Sequence, residues 1–273
     1  MPLVLHLVNS SPIPLEVDAV RMEIVRTQSA DEVLRTLVQH GNRQQPLGEF
    51  FRAEGSAKED ETIVWQGDCA KVKLIGSELR TGRMIVEGNA GMHLGADMVG
   101  GEIEVHGNAA DWAGAEMRGG RIRIHGDAGD CVGGVYRGGR RGMTGGEIFI
   151  NGNAGTELGN TMRRGLIVVR GKAGDAIGFN MLAGSIFVFG EAGIRQGAGM
   201  RRGTIALFQP TSPQLLPSFK FSDICEPGFL SLYLRYLVQQ GFAVPEECLR
   251  SRYRRYCGDM LELGKGEILT RAV

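Results

Sequence analysis

A chain of 273 residues with 31 basic and 31 acidic side chains has no formal net charge, which excludes the global basic footprint of a general nucleic-acid binder. Its 42% hydrophobic residues can fill a sizeable core, and no apolar run is long enough to predict a membrane helix. Glycine is the outlier at 42 residues, and the basic residues are 25 Arg and 6 Lys, a bias towards planar, forked contacts.

The opening segment MPLVLHLVNSSPIPLEV has no basic n-region and is not read as a signal peptide. VLHLV and LEVDAVRMEIV predict strands. SADEVLRTLVQHG predicts a helix, with Ser29 and Glu32 as a capping box and Gly41 as its stop. Residues 1–60 are expected to form an α/β cap. Five cysteines (Cys69, Cys131, Cys225, Cys248, Cys257) show no C-x-x-C spacing and predict reduced thiols in a cytoplasmic protein.

From about residue 61 the chain repeats itself. Gly88, Gly107, Gly126, Gly152, Gly171 and Gly190 each follow a short β-rich run, at intervals of 19, 19, 26, 19 and 19 residues. A looser unit begins at IVWQGDCA, and TIALF (204–208) begins a last one. Four residues before each glycine stands Met84, Ile103, Ile122, Ile148, Ile167 or Ile186. Two residues after it stands an alanine (Ala90, Ala109, Ala128, Ala154, Ala173, Ala192). Later come Met98, Met117, Met143, Met162, Met181 and Met200. Columns of one residue type are what superposed rungs about 4.8 Å apart require. The prediction is an all-β fold: a right-handed parallel β-helix of about seven coils with a 19-residue repeat over residues 61–208. An antiparallel sandwich would not hold one residue type at one phase in every unit.

Two features break the regularity. GVYRGGRRG (134–142) accounts for the 26-residue interval and brings Tyr136, Arg137, Arg140 and Arg141 to the side where Arg118, Arg163, Arg164, Arg201 and Arg202 also fall. This predicts a docking face for an acidic partner or an anionic ligand. The outward strand column runs Ile85, Glu104, Arg123 and then turns apolar at Phe149, Val168, Phe187 and Ala206. That stripe needs a cover: the C-terminal helix, a partner subunit, or the two together. Phe149 and Phe187 therefore join the arginines as expected partner-interface residues.

Residues 209–273 are expected to form a helical extension: a proline-rich turn segment, an amphipathic helix GFLSLYLRYLVQQG ended by Gly241, and a second helix over PEECLRSRYRRYCGDM.

No residue set has the pattern of a catalytic centre. H-E-x-x-H, G-x-S-x-G and Walker spacings are missing. His106 and His125 share an outward column with Glu87 and are expected as surface histidines. Asp111 and Asp130 are expected as solvated corners. No catalytic, cofactor-binding or metal residue is assigned.

The repeat G-x-x-G-x-x-x-G with its trailing G-G resembles the GXGXG domain of the glutamate synthase large subunit and of the C subunit of formylmethanofuran dehydrogenase. The tail RRYCGDMLELGKGEIL (254–269) narrows the resemblance to the second. What the resemblance implies is a non-catalytic scaffold in a hetero-oligomeric complex of one-carbon metabolism. In the bacterial form that complex moves formyl from formyl-tetrahydromethanopterin to a methanofuran-type carrier and releases formate during formaldehyde oxidation. The implied partners are an amidohydrolase-like hydrolase subunit, a formyltransferase subunit and a dehydrogenase-like B subunit. They carry the metal ions and the coenzyme, and the chain itself binds none. The arginine bias favours the bacterial form. An archaeal-type molybdenum or tungsten dehydrogenase, a glutamate-synthase-like structural domain and an autonomous β-helix enzyme remain alternatives.

Overall fold

The computed structural model describes residues 1–272. The chain opens with β1 (Leu3–Leu7) and β2 (Leu15–Glu16), helices α1 (Met22–Val25) and α2 (Ala30–Leu34), strands β3 (Leu37–His40) and β4 (Arg43–Pro46), a short 3-10 turn at Leu47–Glu49 and β5 (Phe51–Glu54). The repeats supply β6 (Thr62–Gln66), β7 (Val72–Lys73), β8 (Arg83–Val86), β9 (Glu102–Val105), β10 (Arg121–Ile124), β11 (Glu147–Ile150), β12 (Leu166–Val169), β13 (Ser185–Val188) and β14 (Arg202–Leu207). The chain ends with β15 (Lys220–Cys225), α3 (Gly228–Gln239), α4 (Glu246–Arg250), β16 (Tyr253–Gly258) and β17 (Lys265–Arg271). It is an all-β protein with few helical residues.

Thirteen strands form one sheet in the order β15-β16-β17-β14-β13-β12-β11-β10-β9-β8-β6-β1-β5, and every pair from β1 through β14 to β17 is parallel. Register follows the columns. Ile103 faces Ile122, which faces Ile148, which faces Ile167. These isoleucines and the six column methionines are 0–1% exposed, so like side chains stack on like within one hydrophobic core. Each fully buried aliphatic side chain contributes about 1.5–3 kcal/mol.

The segments between strands are also in register. Single parallel bridges link Cys69, Ala90, Ala109, Ala128, Ala154, Ala173 and Ala192 in turn. Beside them runs a side-chain ladder. The Oδ1 atoms of Asn89, Asn108, Asp127 and Asn153 accept from the backbone N–H of Asn108, Asp127, Asn153 and Lys172, at 2.7–2.9 Å. Asp111 and Asp130 do the same for Asp130 and Thr156. The two aspartates expected as solvated corners are thus rungs that satisfy turn amides. Close packing explains glycine at the key position: a Cβ on Gly126 would lie 2.7 Å from the Gly107 carbonyl oxygen. At Gly114 the demand is conformational, with φ at +65°.

Three local expectations are corrected. α2 keeps its capping box, with Ser29 accepting from the Glu32 amide, but it ends at Leu34. LVQH is a strand instead, pairing with Arg43–Pro46 across the Gly41 turn; its four residues fit either period, and the hairpin partner decides. MEIV, expected as strand, is α1, with Met22 and Val25 buried at helical spacing. The second C-terminal helix stops at Arg250, and YRRYCG is β16, antiparallel to β17. β17 then joins β14 in parallel, a pairing across some sixty residues that no local pattern encodes.

Helix α3 covers the apolar stripe. Leu230, Leu234, Leu237 and Phe242 pack on Phe149, Val168, Phe187, Ala206 and Phe208, all at most 2% exposed. A polar seam closes the helix's C-terminal end: the Tyr236 hydroxyl donates to Glu147 at 2.7 Å, and Arg123 donates to the Gln240 carbonyl at 2.8 Å.

Candidate functional site

The arginines predicted on one side fall into three groups. Arg118 and Arg201 are tied down by Asp97 and Glu262, at 2.6 and 3.2 Å. Arg163 and Arg164 follow Met162, and Arg202 opens β14 two units further along the stack. With Glu147, Ser185 and Tyr233 of α3 they line an open cleft of about 560 Å³. Among the described residues no carboxylate lies within ion-pair distance of these three guanidinium groups, so the cleft presents uncompensated forked donors. Such donors bind carboxylate or phosphate in a bidentate manner.

Arg137, Arg140 and Arg141 form the third group, all exposed on the inserted loop. The loop leaves the stack after Gly133 and returns at Met143, whose amide donates to the Gly133 carbonyl at 2.9 Å. It is anchored again where the Gly142 amide donates to Thr161, two residues before Arg163.

Tyr136 holds the loop. Its amide donates to Glu116 at 3.1 Å and its ring stacks on Trp112. His93 and Trp112 occupy the same phase of successive units, so Tyr136 caps an aromatic column (His93–Trp112 centroids 6.5 Å apart). Burial, with help from Asp97 and Glu116, pushes the Tyr136 hydroxyl up to about 12, so it stays protonated. Burial also lowers His93 below the usual histidine range. Tyr136 is therefore a structural pin that presents the arginines.

Phe149 and Phe187 are corrected as interface residues. Both are 0% exposed beneath this chain's own helix α3, so α3 is the cover of these two rings. Sequence reasoning missed Glu147 and Tyr233 as walls of the cleft. Only the column position of Glu147 hinted at it, and Tyr233 arrives from a helix whose docking site has no sequence mark.

On the uncovered half of the strand face the two histidine rings of neighbouring rungs meet edge to face, and Glu104 joins them, with His125 Nε2 at 2.9 Å from its Oε1. Partial burial alone would raise the Glu104 carboxyl. Hydrogen bonds from His125 and Arg83 outweigh it and hold the group below the usual carboxylate range. Burial raises the Cys131 thiol to about 11, which makes it unreactive as a nucleophile at neutral pH.

The chain resembles known proteins in sequence and fold. The GXGXG motif family matches residues 71–215, more than half of the chain. The chain belongs to the GXGXG family. Among curated GXGXG relatives, the C subunit of molybdenum-containing formylmethanofuran dehydrogenase 1 from Methanothermobacter marburgensis is 44% identical over 83 residues, 30% of this chain and 21% of that protein. The C subunit of tungsten-containing formylmethanofuran dehydrogenase 2 from Methanothermobacter wolfeii is 41% identical over 87 residues, 31% of this chain and 32% of its own. The match thus spans about a fifth to a third of the length of these curated relatives. A chain of the formyltransferase/hydrolase complex (FhcABCD) from Methylorubrum extorquens, crystallised with methylofuran, superposes with a TM-score of 0.90. It is 33% identical, over 99% of this chain and 100% of that one. No helix among the described residues is long and apolar enough to cross a membrane.

Proposed function

We propose that this chain is the non-catalytic scaffold, the C subunit, of a formyltransferase/hydrolase complex. That complex moves a formyl group from formyl-tetrahydromethanopterin to a methanofuran-type carrier and releases formate. The observation that carries this reading is the end-to-end likeness to a chain of the Methylorubrum extorquens complex, at a TM-score of 0.90 and 33% identity.

In this reading the chain has three parts: a cap over 1–60, a right-handed parallel β-helix of about seven coils over 61–208, and a C-terminal extension from 209 in which α3 and α4 accompany the strands β15, β16 and β17. The in-register parallel pairing at one-unit intervals supports the winding, and β1 and β17 add a rung from each flank. A column packed with isoleucine, valine, alanine and methionine supplies stiffness. It holds a formyltransferase subunit, an amidohydrolase-like hydrolase subunit and a dehydrogenase-like B subunit at fixed separations in the cytoplasm. The metal ions and the methanofuran-type coenzyme belong to those partners. Arg163 and Arg164 in the cleft, and Arg137, Arg140 and Arg141 on the loop pinned by Tyr136, receive a carboxylate-rich partner segment or the acidic tail of the carrier. Fixed separation raises the local concentration of a tethered formyl group over free diffusion.

A second reading, the C subunit of a molybdenum or tungsten formylmethanofuran dehydrogenase, draws on the 44% local identity within the repeats. Affinity purification of the tagged chain from its native host, with native mass spectrometry and metal analysis, separates the two. The first reading expects formyltransferase and hydrolase partners without molybdenum or tungsten. Co-purifying pterin-bound metal supports the second, and formyl transfer by the isolated chain contradicts both.

A further inference from the structure

We propose that Glu104, His106 and His125 form a binding site for a borderline divalent metal ion, zinc above all. The site lies on the half of the strand face that α3 leaves open, and the role proposed above does not use it.

The repeat itself builds the site. His106 and His125 directly follow the strands β9 and β10 at the same phase, so the parallel register sets them side by side on neighbouring rungs, with ring centroids 5.5 Å apart. Glu104 stands two residues before His106 and so projects from the same face of the sheet. One ligand atom from each of the three lies within 4.8 Å of the others. The Glu104 Oε1 atom is 2.9 Å from His125 Nε2 and 3.9 Å from His106 Nε2. At zinc–ligand lengths of about 2.0–2.1 Å, tetrahedral ligand atoms sit roughly 3.3 Å apart. The Glu104–His125 spacing falls a little short of that separation and the Glu104–His106 spacing a little beyond it, so small rotations of the half-exposed side chains bring the atoms to it.

Two neighbours support ligation. Arg83 bonds the other carboxylate oxygen, Oε2, which fixes the carboxylate and leaves Oε1 towards the imidazoles. Asn151, the next residue of the histidine column, places its side-chain amide 3.3 Å from His125 Nδ1. The amide oxygen and nitrogen are interchangeable by a flip. With the oxygen towards the ring it accepts the Nδ1 proton, which leaves the Nε2 lone pair free for a metal, as ligating histidines require. Two imidazoles and one carboxylate suit zinc, copper and nickel over magnesium or calcium. A fourth position stays open to water.

The test is calorimetric titration of zinc chloride into the full-length chain after EDTA treatment, repeated with cobalt chloride as a spectroscopic probe. The expected result is one zinc per chain with micromolar affinity. It weakens at least tenfold in His106→Gln and in His125→Gln, and the wild type alone gains melting temperature with zinc. Both histidines are surface residues, so the metal-free variants keep the wild-type melting temperature; Glu104→Gln gives an independent third arm. No saturable binding by the wild type overturns the proposal. So does unchanged binding in the double histidine variant, which would place the metal elsewhere on the chain.

Discussion

Tyr136 lies against Trp112, with ring centroids 5.2 Å apart and planes inclined by 28°, and its hydroxyl is 2.9 Å from His93 Nδ1. This contact turns a seven-residue insertion into a fixed loop. Tyr136→Ala should cost about 2 kcal/mol, as partly buried aromatic packing and one hydrogen bond are lost. Arg137, Arg140 and Arg141 should then become preferred trypsin sites. Timed proteolysis of the folded chain checks this: faster cleavage within 137–141 is expected, at little change elsewhere.

The key glycines are held by backbone proximity. Gly126→Ala would force a Cβ to 2.7 Å from the Gly107 carbonyl oxygen, with a cost of about 2 kcal/mol or more. Gly228 opens α3 with nothing within 4 Å of its would-be Cβ, so Gly228→Ala should be neutral or slightly stabilising. Urea denaturation of the two variants gives the comparison.

Helix α3 is the cover of the apolar stripe. Leu234→Ala, at a residue 1% exposed against that stripe, should cost about 2–5 kcal/mol. Residues 228–250 should lose hydrogen-exchange protection before the strands β8–β13 do, because the stack closes its own ladder without the helix.

Asp259 ties the last turn to the stack. Its Oδ2 accepts from the Gly199 amide at 3.0 Å and its Oδ1 from the Leu261 amide at 2.9 Å. Burial works to raise this carboxyl, but the two amides prevail and hold it below its ordinary value. A depressed folded-state pKa adds stability that is present above the unfolded value, about 3.9, and is lost as pH falls through the folded value. Asp259→Asn should therefore be less stable at pH 7 by about 1–3 kcal/mol, with the gap closing below about pH 4. Melting curves of both proteins from pH 7 to 3 measure it.

The sequence made the stack legible because its environment recurs. Ile103, Ile122 and Ile148 meet the same neighbours, so one column announces the next. The capping box at Ser29 and the α3 stop at Gly241 were legible as local chemistry. LVQH and YRRYCG were not, since strand or helix there depends on partners at 43–46 and 265–271. For the site, the arginines were visible by phase, but the split between paired Arg118 and Arg201 and unpaired Arg163 and Arg164 depends on acids elsewhere in space. The burial of Phe149 and Phe187 depends on where a distant helix docks.

In the proposed complex the column organises other subunits through its arginine-bearing side. Native mass spectrometry of the complex assembled with Arg163, Arg164 and Arg202 all changed to Glu tests it most directly. Loss of at least one partner subunit, or of the acidic carrier, is expected, while the isolated variant keeps the wild-type melting temperature. An intact complex of unchanged stoichiometry, carrier content and turnover would contradict it.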